Sequence, residues 1–381
     1  MVQSITSFRA YCFFAVFLFH CSELKFSAGW LGVQAFFVLS GFLLTPILVN
    51  MKSDLPLKLY LKNFYGRRAL RIFPLCYAYL LIVTVLCLVM SGANVENSVI
   101  DNFLSSRLWS YSYTYNLYHA TNIYEHSKLV THFWSLAVEE QFYLIWPLVI
   151  WFVRGKYLKQ ALSFVVLLGP LNRFLIELIH AHGALPILNE RIDLVIYVLP
   201  FSHIDAFAIG GLFALYGKGV SGKFSWLALT LTVLLGFATH FFATNSIDLW
   251  SLGFPAFMKD KYIFGYTAIN IFFAFIILQI KSGAFAAPLF ENKIAYYFGK
   301  ISYGLYVFHF PCLWIVPRLM PEHGFEFMNE VIALLLSIFI ASISYNLFES
   351  KIINLKDIYF PAKVDCTNKS NQSDIENAAS I

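Results

Sequence analysis

The segment "SFRAYCFFAVFLFHC", residues 7–21, places an arginine and a histidine near the ends of a mostly apolar stretch. Such a run is typical of a helix that crosses a membrane, which needs about 20 mainly apolar residues. Arg9 and His20 are eleven positions apart, about three helical turns, so both side chains project from one face of the helix. Ionisable groups within a membrane usually face a cavity or the bundle interior. The segment therefore predicts a first transmembrane helix with a functional face.

The composition of the whole chain also indicates a membrane protein. Of its 381 residues, 59% are hydrophobic and only 13% are charged, and the mean hydropathy is +0.66. Soluble proteins carry roughly 25% charged residues. The basic residues flank apolar runs instead of clustering together, so the net charge of +5 does not indicate nucleic-acid binding.

The apolar runs predict an all-α, polytopic membrane bundle with about ten transmembrane helices. The predicted spans are residues 5–24, 31–49, 72–90, 132–153, 160–180, 194–216, 225–243, 262–280, 300–317 and 329–349. With both termini in the cytoplasm, most of the 27 Lys and Arg residues lie on the cytoplasmic side, as the positive-inside rule requires. We expect residues 1–350 to form this domain and the polar residues 351–381 to form a disordered cytoplasmic tail.

Two further features concern the outer surface and the cysteines. The longest predicted outer loop, residues 91–131, contains "RLWSYSYTYNLYH" at 107–119, either an interfacial aromatic belt or a platform that stacks on sugar rings. The six cysteines lack CxxC spacing and lie mostly within predicted spans. They are interpreted as small apolar packing residues, and we expect neither a metal site nor disulfide bonds.

An arginine pair lies in "FYGRRALRIFP", residues 64–74. Arg68 and Arg71 are three positions apart and therefore neighbours on one helix face at the cytoplasmic end of the third span. Guanidinium groups bind phosphates through two parallel hydrogen bonds, so the pair is a candidate phosphate site. The alternative is that these charges only set the topology of the helix.

Carboxylates lie within an apolar helix in "THFWSLAVEEQFYLIWPL", residues 131–148. His132, Ser135 and Glu139 share one helix face, and Glu139 is expected about 10 Å from His132, at the depth of His20. Glu140 points about 100° away from Glu139. A membrane-embedded carboxylate costs free energy unless it is paired, so a structural pairing with a basic residue is the alternative to a catalytic role.

Two later segments add candidate residues. "FSHIDAFAIGG", residues 201–211, contains His203 and Asp205, and "SYGLYVFHFP", residues 302–311, contains His309. Either histidine alone is more typical of a packing residue than of a catalyst. Gly41 and the pair Gly210–Gly211 are expected to permit close helix packing.

Taken in order, these segments resemble the membrane acyltransferase 3 family, O-acetyltransferase-like integral membrane proteins that modify bacterial surface polysaccharides, lipopolysaccharide and some small molecules. The resemblance runs from about Ser7 to Phe348. The motifs that carry it are Arg-x10-His in the first helix, "GVQAFFVLSGFLLT" (32–45), Arg-x-x-Arg (68–71), "FWSLAVEEQFYLIWPL" (133–148) and "SYGLYVFHFP" (302–311).

The resemblance implies roles that spacing alone does not. It implies His20 as the catalytic base, with Glu139 as the functional carboxylate and Glu140 second to it. It places Arg9, Arg68 and Arg71 on the acyl-CoA side. Acceptor-binding or supporting roles remain for His132, Ser135, Asp205 and His309. Family members often have arginine two residues before the position of Asp205, where this chain has His203, so no role is transferred to that position.

The resulting hypothesis is a bacterial inner-membrane acetyltransferase. Acetyl-CoA would be the donor substrate, no cofactor would be permanently bound, and the acceptor would be a hydroxyl of a lipid-linked or surface carbohydrate, such as lipopolysaccharide O-antigen. A histidine that titrates near neutrality suits deprotonation of a hydroxyl, which typically contributes 10²–10⁴-fold. The acyl group would reach the acceptor directly or through an acyl-enzyme, and direct reach is favoured.

Three alternatives remain open at the level of sequence. A carrier of a lipid-linked glycan or solute would use His20, Glu139 and Asp205 as proton-relay groups, although no internal repeat is visible. A scaffold for envelope assembly would need no catalysis. Within the enzyme hypothesis, the acceptor could be a small-molecule hydroxyl instead of a carbohydrate.

Overall fold

The computed structural model describes residues 2–23, 26–93, 97–249, 251–254, 262–283, 287–320 and 326–362. These residues form helices joined by loops, and this part of the chain contains no β-strand; one isolated β-bridge joins Thr121 to Leu188. The predicted all-α fold is therefore confirmed. Cys366 lies outside the described residues, and the other five cysteines are buried and unbonded.

Sixteen α-helices follow one another along the described chain. They are α1 (Val2–His20), α2 (Leu31–Asp54), α3 (Leu57–Gly92), α4 (Ser98–Tyr111), α5 (Tyr115–His119), α6 (Phe133–Phe152), α7 (Leu158–Ala181), α8 (Ile192–Val198), α9 (Ile204–Tyr216), α10 (Gly222–Thr244), α11 (Tyr262–Ser282), α12 (Ala287–Phe290), α13 (Lys293–Leu319), α14 (Glu326–Ser344), α15 (Ser350–Asn354) and α16 (Lys356–Tyr359). A π-helical turn, Tyr345–Glu349, connects α14 to α15.

Six described segments are long and apolar enough to cross a membrane. They are Ser27–Asp54, Leu57–Gly92, Gly155–Ala181, Gly222–Thr244, Tyr262–Ser282 and Glu326–Tyr359. The four other predicted spans fall on α1, α6, α8 with α9, and α13. The molecule is thus an all-helical, multi-pass membrane protein. The count of ten spans and the cytoplasmic position of both termini stay predictions.

Two predicted spans differ from the structure. The span 194–216 is broken into α8 and α9 by the 3-10 turn Pro200–Ser202, with Leu199 in extended backbone. Proline lacks an N–H group and disfavours helix at the preceding residue, which explains the break. The span 72–90 is the second half of α3, which has 36 residues. Arg68 and Arg71 therefore lie inside this helix, not at its start.

Glycines allow α1 to pack tightly between α2 and α13. A Cβ atom at Gly299 of α13 would lie 1.8 Å from the Thr6 carbonyl oxygen of α1. A Cβ atom at Gly32 of α2 would lie 2.4 Å from the Cys12 carbonyl oxygen. No other residue fits at such distances, so the position of α1 is fixed from both sides.

The crossing of α2 and α9 also depends on glycine. A Cβ at Gly41 would lie 2.0 Å from the Phe207 carbonyl oxygen, and one at Gly210 would lie 2.1 Å from the Val38 carbonyl oxygen. The expected packing role of these glycines is confirmed.

A fully buried ion pair joins α7 to α9. Arg173 Nη2 lies 3.0 Å from Asp205 Oδ2, and both side chains are 0% exposed. Arg173 also donates to the Ser202 and Ile263 carbonyl oxygens, and the Thr267 hydroxyl donates to Asp205. The pair is hydrogen-bonded on both sides, as a buried pair must be to offset desolvation.

The aromatic residues of the loop between α3 and α6 pack mainly on one another. Tyr115, Tyr118 and His119 are buried, and the His119 ring stacks on Tyr124 at 3.8 Å. Burial lowers the pKa of His119 to about 3, so this ring is neutral at physiological pH. These residues form a small core for the loop, whereas Trp109 is 38% exposed.

Part of the predicted disordered tail is folded. Helices α15 and α16 lie against α3, where Arg67 forms a 2.8 Å ion pair with Asp357 and Asn63 Nδ2 donates to the Pro361 carbonyl oxygen. The rest of the predicted tail, residues 363–381, lies outside the described residues.

Candidate active site

The three arginines that were predicted to bind acyl-CoA line one cavity of about 100 Å³. Arg9 of α1 and Arg68 and Arg71 of α3 line it together with Glu139 and Glu140 of α6. We call it the arginine cavity. Its other polar lining residues come from α2, α6 and α13: Ser40, Ser135, Tyr143, Ser302, Tyr303 and Tyr306. The structure thus brings together residues that are up to 297 positions apart in the sequence.

The two carboxylates of the arginine cavity have different surroundings. Glu139 Oε1 accepts hydrogen bonds from the Ser40 and Tyr143 hydroxyl groups. Glu140 Oε1 is buried and has no hydrogen-bond partner. These two hydrogen bonds hold Glu139, Ser40 and Tyr143 in place relative to one another.

The three cavity arginines are not neutralised by direct ion pairs. The ion pairs found in the described ranges join Arg67 to Asp357, Arg173 to Asp205 and Arg191 to Asp193. Arg68 Nε is buried without a partner, and its guanidinium lies 5.8 Å from the centre of the Tyr143 ring. Guanidinium donors without a carboxylate at contact distance can bind an anion that enters the cavity.

The expected depth of Glu139 was wrong. The sequence predicted Glu139 at the depth of His20, but the structure places Glu139 in the arginine cavity, whereas His20 lies in a cluster with His132 and His309. Ring centroids are 5.5 Å apart for His20 and His309 and 5.1 Å apart for His132 and His309. Because Glu139 is two helical turns beyond His132, one helix face serves two separate sites.

Hydrogen bonds fix the tautomers of the two inner histidines. His309 Nδ1 lies 2.7 Å from the Tyr306 carbonyl oxygen, and His132 Nε2 lies 3.2 Å from that of Val307. A carbonyl oxygen only accepts, so these nitrogens carry the protons. The remaining nitrogens, His309 Nε2 and His132 Nδ1, are lone-pair acceptors that are buried and unpartnered.

A second and larger cavity, about 740 Å³, opens at the end of α1. His20, the last residue of α1, lines it. We call it the histidine cavity. Its other lining residues are Phe19, Ser22, Lys128, Phe310, Leu313, Pro317, Glu326, Asn329 and Glu330. The His20 ring meets the Phe310 ring edge-on at 4.6 Å.

The side-chain rings of Tyr306, His309 and His132 lie between the two cavities. Tyr306 lines the arginine cavity, and its ring centroid is 5.4 Å from that of His309, which in turn neighbours His20. The Tyr306 hydroxyl donates to the His132 carbonyl oxygen at 2.9 Å and lies 2.6 Å from Ser135 Oγ. His132, Ser135 and His309 thus form the layer between the arginines and His20.

Asp205 and His203 lie outside both sets of lining residues. Asp205 is paired with Arg173, as described above. His203 is fully buried, accepts from Gln34 Nε2 at 3.1 Å and donates from Nε2 to the Tyr197 carbonyl oxygen at 2.8 Å. Both residues therefore have packing partners instead of a place at a cavity.

Sequence reasoning missed several residues of these sites. Ser40 and Tyr143, the donors to Glu139, carry no signal beyond their presence in the motifs. Arg173 could have been found, because a lone arginine within an apolar span requires a partner. Glu330 of the histidine cavity gives a similar signal near the start of the last predicted span.

The sequence is similar to those of known proteins. A family model described as an acyltransferase domain, that of acyltransferase 3, matches residues 2–346. The chain belongs to the acyltransferase 3 family. No solved structure matches it significantly.

Two curated relatives illustrate the similarity. The chain is 28% identical over 366 residues to "O-acetyltransferase OatA" of Staphylococcus aureus, covering 92% of this chain and 57% of the relative. It is 25% identical over 364 residues to "Peptidoglycan O-acetyltransferase OatA" of Listeria monocytogenes, covering 92% and 56% respectively. The chain therefore spans little more than half the length of these relatives.

Proposed function

We propose that this acyltransferase 3 protein is an O-acetyltransferase of the bacterial inner membrane. It would move an acetyl group from cytoplasmic acetyl-CoA to a hydroxyl of a cell-surface carbohydrate. The observation that carries this proposal is that one unbroken helix, α1, presents Arg9 to the arginine cavity and His20 to the histidine cavity. The proposed anion-binding residue Arg9 and the proposed general base His20 therefore lie near opposite ends of α1, about 16 Å apart along the helix axis.

The arginine cavity supports the donor role. The phosphates of coenzyme A are anions that guanidinium groups bind through paired hydrogen bonds. Arg9, Arg68 and Arg71 lack ion-pair partners within the described residues, so their donors can turn to such phosphates. The long pantetheine arm would carry the thioester from there toward the wall formed by Tyr306 and His309.

His20 would act as the general base. As the acceptor hydroxyl oxygen attacks the thioester carbonyl, His20 takes its proton, the new C–O bond forms and the C–S bond breaks. The proton then passes to the departing CoA thiolate, which leaves as the thiol. General base catalysis of this kind typically contributes 10²–10⁴-fold. His309, with its lone pair at Nε2, would orient the His20 ring.

The choice of acceptor follows from the relatives. The Listeria relative is named a peptidoglycan O-acetyltransferase. Peptidoglycan is therefore the first acceptor to test, ahead of lipopolysaccharide O-antigen and of small-molecule hydroxyls. In each case the hydroxyl would enter the histidine cavity, which falls in the size range of ligand sites, about 300–1,000 Å³.

The test is the acetyl content of surface glycan in cells that produce the wild-type protein or His20→Ala. Mass spectrometry of peptidoglycan, normalised to the amount of protein in the membrane, should show loss of acetylation in His20→Ala by at least 100-fold. His240→Ala is the matched control, since His240 is a buried histidine of α10 that lines neither cavity.

Two results would count against the proposal. Near-wild-type acetylation per molecule of His20→Ala would remove His20 from the mechanism. Absence of any acetyl-CoA-dependent labelling of glycan by the wild-type protein would instead favour a carrier.

A further inference from the structure

The histidine cavity contains two buried polar atoms that have no partner among the described residues. Glu330 is only 7% exposed and Asn329 only 9% exposed, yet both line the cavity. Within the described part of the chain, Glu330 Oε2 and Asn329 Oδ1 have no hydrogen-bond partner. A buried acceptor that lacks a donor costs free energy, so a ligand that supplies donors would be stabilised here.

The other carboxylate oxygen of Glu330, Oε1, accepts three hydrogen bonds from the protein. Glu330 Oε1 accepts from the Ser22 backbone N–H, from Ser22 Oγ at 2.9 Å and from the Glu23 backbone N–H at 3.0 Å. These donors belong to the segment directly after His20. One carboxylate therefore anchors the end of α1 with Oε1 and presents Oε2 to the cavity that His20 lines.

The chemistry of the cavity selects the kind of ligand. The free oxygens of the Glu330 carboxylate and the Asn329 amide are hydrogen-bond acceptors, so they can bind O–H or N–H groups of a ligand. Phe310 adds an apolar ring beside His20, and the aliphatic C–H face of a sugar ring can pack on such a surface. Donor-rich hydroxyls with apolar faces are the features of a carbohydrate.

We propose that Glu330 and Asn329 form the acceptor subsite, in which they bind hydroxyl groups of a carbohydrate and direct one further hydroxyl toward His20. This inference rests on the proposed O-acetyltransferase function, and it names the residues that recognise the acceptor. Glu330 is a specificity residue in this scheme, because it contacts the sugar but not the reacting carbonyl.

Glu330→Gln is the sharpest test. The amide oxygen can still accept from Ser22 and Glu23, which keeps the loop anchored, while an NH₂ donor replaces the Oε2 acceptor in the cavity. Glu177→Gln is the matched control, since Glu177 is a glutamate of α7 that lines neither cavity. Both variants are purified as the full chain in lipid nanodiscs.

Two measurements separate this inference from the proposed function. The first is binding of a β-1,4-linked N-acetylglucosamine trisaccharide without acetyl-CoA. The second is transfer of labelled acetyl from acetyl-CoA to that trisaccharide. We expect Glu330→Gln to raise the trisaccharide Kd and KM at least tenfold with the KM for acetyl-CoA unchanged, and Glu177→Gln to leave all three near wild type.

The outcomes are distinguishable. Trisaccharide binding by the wild-type protein that depends on Glu330 but leads to no transfer would overturn the proposed function and support the subsite. Wild-type affinity in Glu330→Gln, or no binding by the wild-type protein, would overturn the subsite. A fall in kcat alone with unchanged trisaccharide KM would assign Glu330 to anchoring of α1 and also overturn it.

Discussion

The rings of His20 and His309 lie 5.5 Å apart, and the Nε2 atom of His309 has no hydrogen-bond partner among the residues that the structure describes. The Nδ1 proton of His309 is committed to the Tyr306 carbonyl oxygen, so only Nε2 can accept a proton from a neighbour. His309 is thus placed to hold the His20 ring, and the two residues should differ in their effect on the reaction.

His309→Gln should lower kcat by about 10–100-fold while the KM for acetyl-CoA stays unchanged, because orienting groups cost less than the base itself. His20→Ala should be more severe. The measurement is steady-state acetyl transfer in nanodiscs, with abundance determined in parallel. Equal losses for both variants would make His309 as important as the base, contrary to an orienting role.

The arginine pair should tolerate lysine poorly. Arg68→Lys and Arg71→Lys should raise the KM for acetyl-CoA, since lysine keeps the charge but loses the paired hydrogen bonds to phosphate. Arg67→Lys is the control, because Arg67 lies on the same helix but pairs with Asp357 instead of lining the cavity. If Arg68→Lys and Arg71→Lys both show wild-type kinetics, the two arginines only set the orientation of the helix in the membrane and do not bind acetyl-CoA.

Glu139→Gln should change how the enzyme uses acetyl-CoA, because Glu139 lines the arginine cavity. There it accepts hydrogen bonds from the Ser40 and Tyr143 hydroxyl groups. The glutamine amide oxygen can still accept from these hydroxyl groups, so the cost should be about 1 kcal/mol, or roughly fivefold, which is less than expected for His20→Ala. Kinetics at varied acetyl-CoA and varied acceptor should place the change in the acetyl-CoA parameters. A change confined to the acceptor KM would contradict the observed location.

The Arg173–Asp205 pair should matter for stability instead of chemistry. Asp205→Asn leaves a buried guanidinium without its counter-charge, and breaking a buried pair costs about 3–5 kcal/mol. Membrane abundance and thermal stability in detergent should fall, and the double variant Arg173→Met/Asp205→Asn should recover part of the loss.

The control for that series is Asp193→Asn, which breaks the more exposed Arg191–Asp193 pair and should change stability little. Acetylation per folded molecule should stay near wild type throughout, because neither Arg173 nor Asp205 lines a cavity. A selective loss of activity in Asp205→Asn at normal abundance would assign Asp205 a direct role.

The predicted orientation can be tested with reporter fusions. Alkaline phosphatase, active only outside the cytoplasm, should be inactive when fused after Ile381 and active when inserted after Ile123, an exposed residue of the loop between α5 and α6. The positive-inside distribution of Lys and Arg is the reason for this expectation. Phosphatase activity from the fusion at Ile381 would show the opposite orientation.

Local patterns were sufficient to predict the helical class and the pairing of Arg68 with Arg71, whereas the grouping of this pair with Arg9 came from the family resemblance. Apolar runs identify helices, and the Arg-x-x-Arg spacing puts Arg68 and Arg71 on one face. The broken segment at Pro200 was also accessible in principle, since proline disfavours a continuous helix.

The neighbours of Glu139 were not accessible in this way. Periodicity gives the face and approximate depth of a residue on its own helix but not which helix packs against that face. Ser40 comes from α2 and its contact with Glu139 depends on helix packing between distant segments. The same holds for Glu330, whose anchoring of the residues after His20 joins positions 308 apart in the chain.

The glycine contacts that clamp α1 have a consequence for which donors can react. Gly32 and Gly299 pack against the backbone of α1, and no proline interrupts this helix, so α1 itself holds Arg9 and His20 at a fixed separation. The acetyl donor must bridge this separation. We expect a thioester on an arm as long as pantetheine to reach His20, and a thioester on a shorter arm bound at the same arginines to stop short of it.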